Sequence, residues 1–237
     1  MVSGILAVWE KEIKSYLLSP LAYVLMSVFL LLGGYFFSVI LLSTRVASMG
    51  GYFGNAATIL VFLIPILTMR LFAEEDQRGT SELLYTLPVS IYQIVLGKYL
   101  AASTVLGLML AATVPYPVIL IATAEPDVGP ILTSYLGLFL LGGSFLAAGC
   151  LTSSLTKSQM VAAVSGYGLL LFMWILDWLS SAIPGTAGDL ARAVSPFSHY
   201  RDFLKGILEP NDLLFFGSLI AGFLGLTVAN VELRTWA

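Results

Sequence analysis

The sequence predicts an all-α integral membrane protein with six transmembrane helices, and three observations support this prediction. Of the 237 residues, 58% are hydrophobic and only 11% are charged, whereas soluble domains carry about twice that share of charge. The mean hydropathy is +0.93. Six stretches are long and apolar enough to cross a bilayer, which takes about 20 residues. Because lipid cannot satisfy backbone polar groups, stretches of this length are expected to be helices.

The predicted spans are residues 21–42, 52–69, 99–123, 131–155, 160–183 and 213–231. The first span is too long for a cleaved signal peptide, so we expect it to be retained. Six spans place both termini on one side. If that side is cytoplasmic, seven of the 11 basic residues lie inside, namely Lys11, Lys14, Arg70, Arg78, Lys98, Lys157 and Arg234. Basic residues favour the cytoplasmic side, so both termini are predicted to be cytoplasmic.

The first 20 residues are predicted to form an interfacial helix. Ile5, Trp9, Ile13 and Tyr16 recur at helical spacing, which is typical of a helix lying flat on a membrane. Glu12 interrupts the apolar edge of this helix. The alternative is a short solvated leader.

Residues 70–98, between spans two and three, form the densest charge cluster of the chain. Gly79 and Thr80 are expected to end one helix and begin another, with Thr80 as N-cap of a short helix over residues 81–86. Leu83 and Leu84 would be exposed on that helix unless something covers them. The alternative is a solvated charge run that only anchors two membrane helices.

The next membrane helix is predicted to begin in the cytoplasm. Ser90 and Gln93 have the spacing of a capping box, and Val89 and Ile94 that of a hydrophobic staple. Lys98 is then expected to mark the point where this helix enters the lipid headgroups.

The connection at residues 184–212 is predicted to lie outside and to carry one further interfacial helix. Phe197, Tyr200 and Phe203 share a face at helical spacing, and Gly206 is expected to end the helix. His199 is interpreted as a polar residue at headgroup level rather than a metal ligand or a base.

Four residues within the predicted spans are candidates for a translocation pathway or an outer gate. Pro65, Pro115 and Pro117 are expected to kink their helices. Asp177 is the one ionisable residue well inside a predicted span. The neighbouring tryptophans at positions 174 and 178 favour headgroup depth. A buried functional acid is the alternative for Asp177.

The sequence indicates no catalytic, cofactor-binding or metal-binding residues. Cys150 and His199 are the single cysteine and the single histidine, which excludes a disulfide framework and a cysteine- or histidine-rich metal centre. A net charge of −3 gives no basic surface for nucleic acid. Gly97-Lys98 is the only Gly-Lys pair, and Tyr92 stands where a phosphate-binding loop requires glycine. We therefore expect no enzyme activity and no energy source within this chain.

Three segments resemble permease subunits of type-2 ABC transporters. They are the first span, LAYVLMSVFLLLGGYFF, the stretch LTMRLFAEEDQRGTSELLYTLPVSIYQIVLGK at residues 67–98, and SPFSHYRDFLKGIL before the last span. The branch named for gliding motility is the most similar. The resemblance covers nearly the whole chain.

The resemblance implies a permease that works as a homodimer or a pseudo-symmetric heterodimer with a paralogue. Two separate ATPase subunits would carry ATP and Mg, and membrane lipid and an auxiliary envelope protein would be further partners. It also implies a prokaryotic plasma (inner) membrane and a cytoplasmic coupling helix that contacts the ATPase. Carried over, the coupling interface comprises Glu74, Glu75, Arg78, Gly79, Thr80, Glu82, Leu83 and Leu84. Residues 197–208 would correspond to the outward re-entrant or interfacial helices of the family.

Three functions remain open on the sequence. The leading hypothesis is the membrane subunit of an ATP-driven exporter, in which Glu82→Arg or Leu83→Asp is expected to uncouple ATP hydrolysis. The second is an ABC-driven mechanical transmitter or assembly factor without transport. The third is a stand-alone channel or carrier, or an intramembrane enzyme, centred on Asp177, which Asp177→Asn would test.

Overall fold

The computed structural model describes residues 2–44, 48–80, 89–124, 126–183 and 185–235. Within these ranges every regular element is a helix. The eleven helices are α1 (Val2–Leu18), α2 (Pro20–Thr44), α3 (Gly50–Thr68), α4 (Ala73–Arg78), α5 (Ile91–Ala111), α6 (Pro115–Thr123), α7 (Val128–Ser154), α8 (Gln159–Ala182), α9 (Thr186–Val194), α10 (Pro196–Leu204) and α11 (Pro210–Thr235). The predicted residues Glu82, Leu83 and Leu84 lie outside the described ranges.

Six helical segments are long and apolar enough to cross a membrane, which confirms the predicted all-helical fold with six spans. They are built from α2, α3, α5 with α6, α7, α8 and α11. Most residues of α3 and α7 are buried, whereas only about a fifth of the residues of α2, α8 and α11 are buried. Thus α3 and α7 form the centre of the bundle, and the outer helices present the apolar surface that lipid requires.

Glycines let α7 approach its neighbours closely. A Cβ atom at Gly142 would lie 2.7 Å from the Leu106 side chain of α5, and one at Gly149 would overlap the Thr68 side chain of α3. Small residues allow such close helix contacts in membranes, where dispersion forces between packed helices replace the hydrophobic effect. The centre of the bundle is therefore a tightly packed unit.

The third span is interrupted at the predicted proline position. Helix α5 ends at Ala111 and α6 begins at Pro115, because proline lacks the backbone N–H that would continue the helix. Thr113, at the break, is fully buried and its Oγ1 lies 2.9 Å from the Tyr135 hydroxyl oxygen. Pro65, by contrast, lies inside α3, which continues to Thr68.

Helix α1 packs against the beginning of α5. The Val8, Glu12 and Tyr16 side chains are buried, and a Cβ atom at Gly97 would lie 2.7 Å from Val8. The Trp9 indole N–H donates to Thr104 at 3.0 Å. Glu12 therefore lies on the buried face of α1. We expected Glu12 to interrupt the apolar edge of the interfacial helix, and the structure corrects this by placing its side chain inside the protein.

The bundle has two distinct ends. Helix α1, helix α4 and the C-terminal end of α11 lie together at one end, because Arg234 pairs with Asp76 and Lys11 pairs with Glu75. This end is called the α4 end. The other end carries α9 and α10 and is called the α10 end.

The connection before α11 contains two helices where the sequence predicts one. Helix α10 matches the predicted segment, and the Ser195 side chain caps its start. Helix α9 was not expected, although Leu190 and Val194 lie four positions apart on one face of it and Asp189 and Arg192 lie on the opposite face. Gly206, at φ 84°, adopts the left-handed conformation that suits glycine after a helix end.

Candidate functional site

Helix α4 is the core of the predicted coupling segment. Its first turn carries Glu74, Glu75 and Asp76, and its last turn carries Arg78. Negative side chains at the N-terminal end and a positive one at the C-terminal end interact favourably with the helix dipole, which stabilises this short helix. Gly79, at φ 70°, ends the helix in the left-handed conformation.

The start of α4 is capped by a side chain from α7. The backbone N–H groups of Phe72 and Ala73 donate to the Ser153 hydroxyl oxygen at 3.1 Å and 3.2 Å. The same hydroxyl donates to the carbonyl oxygen of Met69 at 3.2 Å. The hydroxyl donor and both acceptor positions of Ser153 are thus in use, so a central helix of the bundle fixes where α4 begins.

Lys98 is the centre of a buried ionic cluster between three helices. Its side chain is only 1% exposed. The ammonium group lies 3.0 Å from a Glu12 carboxylate oxygen of α1 and 2.7 Å from a Glu75 carboxylate oxygen of α4. It also donates to the carbonyl oxygen of Leu71 at 2.6 Å. The Phe72 ring adds a cation–π contact, with 5.3 Å between Nζ and the ring centroid.

The three donors of the Lys98 ammonium group therefore face three acceptors. This matters because a buried charge is tolerated only when its hydrogen bonds are complete. The Lys98 side chain is therefore buried in the protein rather than exposed to the headgroups, and the depth at which its helix enters the membrane stays a prediction. The partners lie 86 and 23 positions away in sequence, which is why spacing alone could not pair them.

Two further ion pairs bind α4 to the ends of the chain. Lys11 of α1 lies 2.6 Å from Glu75 and 3.5 Å from Glu12. Arg234 at the end of α11 lies 3.0 Å from Asp76. Helix α4 is consequently connected to the first and the last helix of the protein.

Glu74 is held by two arginines. The Arg70 Nη2 donates to a Glu74 oxygen at 3.1 Å while its Nε donates to the other, which is the planar two-bond geometry that arginine favours. Arg78 also pairs with Glu74, at 2.7 Å. The Arg70 guanidinium further donates to the Ser19 hydroxyl at 2.7 Å, between α1 and α2.

The predicted coupling residues thus fall into two groups. The carboxylates of Glu74 and Glu75 turn back towards the protein, whereas Arg78, Gly79 and Thr80 are exposed, as is Gln77. The exposed group is called the α4 tip. It is the part of the described segment that is free to meet another molecule.

The capping box at the start of α5 is confirmed. The Ser90 side chain accepts from the Gln93 backbone, and the Gln93 side chain accepts from the Ser90 backbone. Val89 packs beside Ile94 and Val8 of α1, as the staple predicts. The capping box and the staple therefore fix where α5 begins.

The four candidate pathway residues occupy separate positions. Pro65 faces α8, where a Cβ atom at Gly166 would lie 3.3 Å from it. Pro115 and Pro117 lie in the first turn of α6. Asp177 lies near the end of α8, where its carboxylate accepts from Arg201 at 2.6 Å and from Ser198 at 3.0 Å. Asp177 thus connects α10 to α8. Its role in a translocation pathway or an outer gate stays a prediction.

His199 has a partner that the sequence did not indicate. Its Nδ1 lies 2.6 Å from the Asp212 Oδ1 at the start of α11, and its ring stacks on Phe215 with 4.0 Å between centroids. Asp212 is only 3% exposed. Within the described part of the chain its Oδ2 has no hydrogen-bond partner. His199 is therefore a structural contact of α10 and not a lone residue, while its position at headgroup level stays a prediction.

Six apolar helices, with short helices folded against both ends, define a multi-pass membrane protein. The family model described as ABC-2 family transporter protein matches residues 6–230. The chain therefore belongs to the ABC-2 transporter family and is a membrane permease component of an ABC transporter. Permeases of this family are membrane components that are not themselves catalytic.

The family match confirms the predicted resemblance to type-2 ABC permeases. The narrower similarity to the gliding-motility branch stays a prediction. No curated protein matches the chain at a significant level.

Proposed function

We propose that this chain is the membrane subunit of an ATP-driven exporter in a prokaryotic plasma membrane. It pairs with a second permease subunit, and two separate ATPase subunits dock at the α4 end. ATP and Mg bind to those subunits. Closure of the ATPase dimer displaces α4, and the helices rock between two access states.

The construction of the α4 end is the observation that carries this proposal. The α4 tip is exposed and polar, while the base of the same helix is bound to α1, α5 and α11 by ion pairs. A partner that pulls on the tip therefore acts on three other helices at once. A merely solvated charge run would not need carboxylates that turn inward.

The charge distribution supports a cytoplasmic α4 end. Seven of the ten described basic residues belong to this end or its connections, against three at the other end, and this bias is typical of cytoplasmic segments. An ATPase in the cytoplasm would then reach the α4 tip directly. The export direction and the identity of the membrane rest on the resemblance.

The test is purification of the tagged full chain from its native membrane, followed by mass spectrometry of the intact complex. We expect two permease subunits and two ATPase subunits that carry a phosphate-binding loop. A homogeneous particle without an ATPase would overturn the proposal.

The docking site is tested by Arg78→Glu, which reverses an exposed charge at the α4 tip. Glu74 keeps Arg70 as a partner, so the fold is expected to survive. We expect the amount of co-purified ATPase to fall by about tenfold, equivalent to about 1.4 kcal/mol. Lys205→Glu makes the same charge change at the α10 end and should leave the ATPase bound. Equal retention of the ATPase in both variants would place docking elsewhere.

A further inference from the structure

We propose that Lys98 is the positioning residue that passes the displacement of α4 to the membrane helices. This inference rests on the proposed function and adds the route within the subunit. The ammonium group lies where α1, α4 and α5 meet, and it bonds to acceptors in two other elements and in the connection before α4.

Stability alone does not explain a buried charge at this position. Removing two carboxylates and an ammonium group from water is costly, and well-packed apolar side chains hold helices together as well or better. Phe72, Val8 and Ile94 already provide apolar packing nearby. What an ionic cluster adds is a fixed set of partners at fixed distances, so that α1, α4 and α5 keep their relative positions when one of them is pulled.

Within the described part of the chain, the charged groups that face Lys98 support this role. From α1 come Glu12 and, one position earlier, Lys11, which bridges Glu12 and Glu75. From α4 comes Glu75. The Leu71 carbonyl oxygen adds a bond to the connection that Ser153 also holds. Any displacement of helix α4 therefore also displaces Lys98 or breaks its contacts.

The helix that carries Lys98 leads to a break in the membrane. Helix α5 runs without interruption for 21 residues from Ile91 to Ala111, a length of about 30 Å. It then stops before Pro115, where Thr113 and Tyr135 are in contact. A pull on Lys98 moves α5 as a rod, and the interruption is the place where the movement changes direction.

The decisive variant removes the charges together. Lys98→Met alone leaves Glu12 and Glu75 buried without their cation, so its failure could be a failure to fold. The triple variant Glu12→Gln, Glu75→Gln and Lys98→Met keeps the side-chain volumes and leaves no buried charge unpaired, since Lys11, which loses both partners, is 54% exposed. Its matched control is Glu10→Gln with Lys14→Met, which neutralises the exposed ion pair of the same helix α1.

The measurement uses the complex with its co-purified ATPase in lipid. Cys150 is replaced by alanine, and Thr123→Cys places a single thiol at the α10 end of α6. The rate of maleimide labelling is compared without nucleotide and with ATP plus vanadate. ATP hydrolysis and thermal unfolding are recorded on the same samples.

We expect the triple variant to fold, bind the ATPase and hydrolyse ATP, while its nucleotide-dependent change in labelling rate falls by about fivefold or more. The control should respond like the wild type. A purely structural role for Lys98 would lower the unfolding temperature and leave the labelling response intact. A normal response in the folded triple variant overturns the inference.

A second variant covers the case in which the triple variant does not fold. Glu75→Gln keeps the contact between Lys98 and Glu12 and retains a neutral acceptor on α4. An intermediate loss of the labelling response supports the inference, and an unchanged response overturns it. If no ATPase co-purifies with the wild type, the proposed function fails and this inference fails with it. If the ATPase co-purifies but the variants show a normal labelling response, only this inference fails.

Discussion

Both ends of the bundle hold a short surface helix through ion pairs. The most buried member is a cation at the α4 end and a carboxylate at the α10 end. At the α4 end the cation Lys98 is 1% exposed and two carboxylates surround it. At the α10 end the cation Arg201 is 53% exposed, and the carboxylate of Asp177 is the more buried member of the pair. A charge pair is weakened by solvent on either side, so the Lys98 cluster is expected to resist separation more strongly than the pair of Asp177 with Arg201.

The two ends also differ in how their short helices begin. Helix α10 is capped by its own Ser195, whereas α4 is capped by Ser153 of the central helix α7. The start of α4 is thus fixed by a residue of the core, whereas α10 caps itself and reaches the core through its buried Tyr200 and Phe203 side chains. The proposed function makes use of this difference, because it assigns the mechanical input to the α4 end.

The largest expected effect comes from breaking the buried cluster. Lys98→Met leaves Glu12 and Glu75 without their cation, and we expect a loss of about 3–5 kcal/mol in the free energy of unfolding. Unfolding of the purified chain in mixed micelles measures this value. A loss as small as that of a surface pair would show that water reaches the cluster.

A smaller effect is expected at the buried carboxylate of the α10 end. His199→Phe keeps the stacking on Phe215 but removes the ring nitrogen beside Asp212, which leaves a buried acceptor unpaired and costs about 2–3 kcal/mol. The double variant with Asp212→Leu should recover most of that loss. No recovery would mean that the imidazole is needed for another contact.

The caps provide the next comparison. Ser153→Ala leaves the N–H groups of Phe72 and Ala73 without their acceptor, and we expect a loss of about 2 kcal/mol. Ser195→Ala removes an ordinary N-cap and should cost about 1 kcal/mol. Hydrogen exchange localises each effect, since protection should fall in α4 for the first variant and in α10 for the second.

The smallest effect is expected at the exposed pair of the α10 end. Arg201→Met removes the partner of Asp177, whose carboxylate still accepts from Ser198. We expect a change of about 0.2–1 kcal/mol, because the guanidinium group is mostly in water. A loss comparable to that of Lys98→Met would remove the contrast between the two ends.

Local patterns predicted most of the helices. The length of the apolar stretches predicted six spans, and the spacing of Ser90 and Gln93 predicted the start of α5. Pro115 predicted the interruption of the third span. These features depend on neighbouring residues, so a single sequence carries them. Helix α9 was missed although the sequence carries a signal for it, since Leu190 and Val194 share one face and Asp189 and Arg192 share the opposite one.

The long-range contacts could not be predicted in the same way. Nothing local connects Glu12 with Lys98, or Asp76 with Arg234 across 158 positions. One signal was available, since a carboxylate within the apolar face of α1 requires a buried partner. The choice of partner, however, depends on how the helices pack.

Helix α4 has only six residues, and isolated helices shorter than about 12 residues scarcely form in water. Its start is defined by a hydroxyl from another part of the chain, and its Glu75 and Asp76 carboxylates are held by residues that are distant in sequence. A linear synthetic peptide that copies this stretch would therefore be a poor decoy for the proposed ATPase partner. Inhibitor design against the contact should begin with a chemically constrained helix, or with molecules selected against the intact protein in lipid nanodiscs.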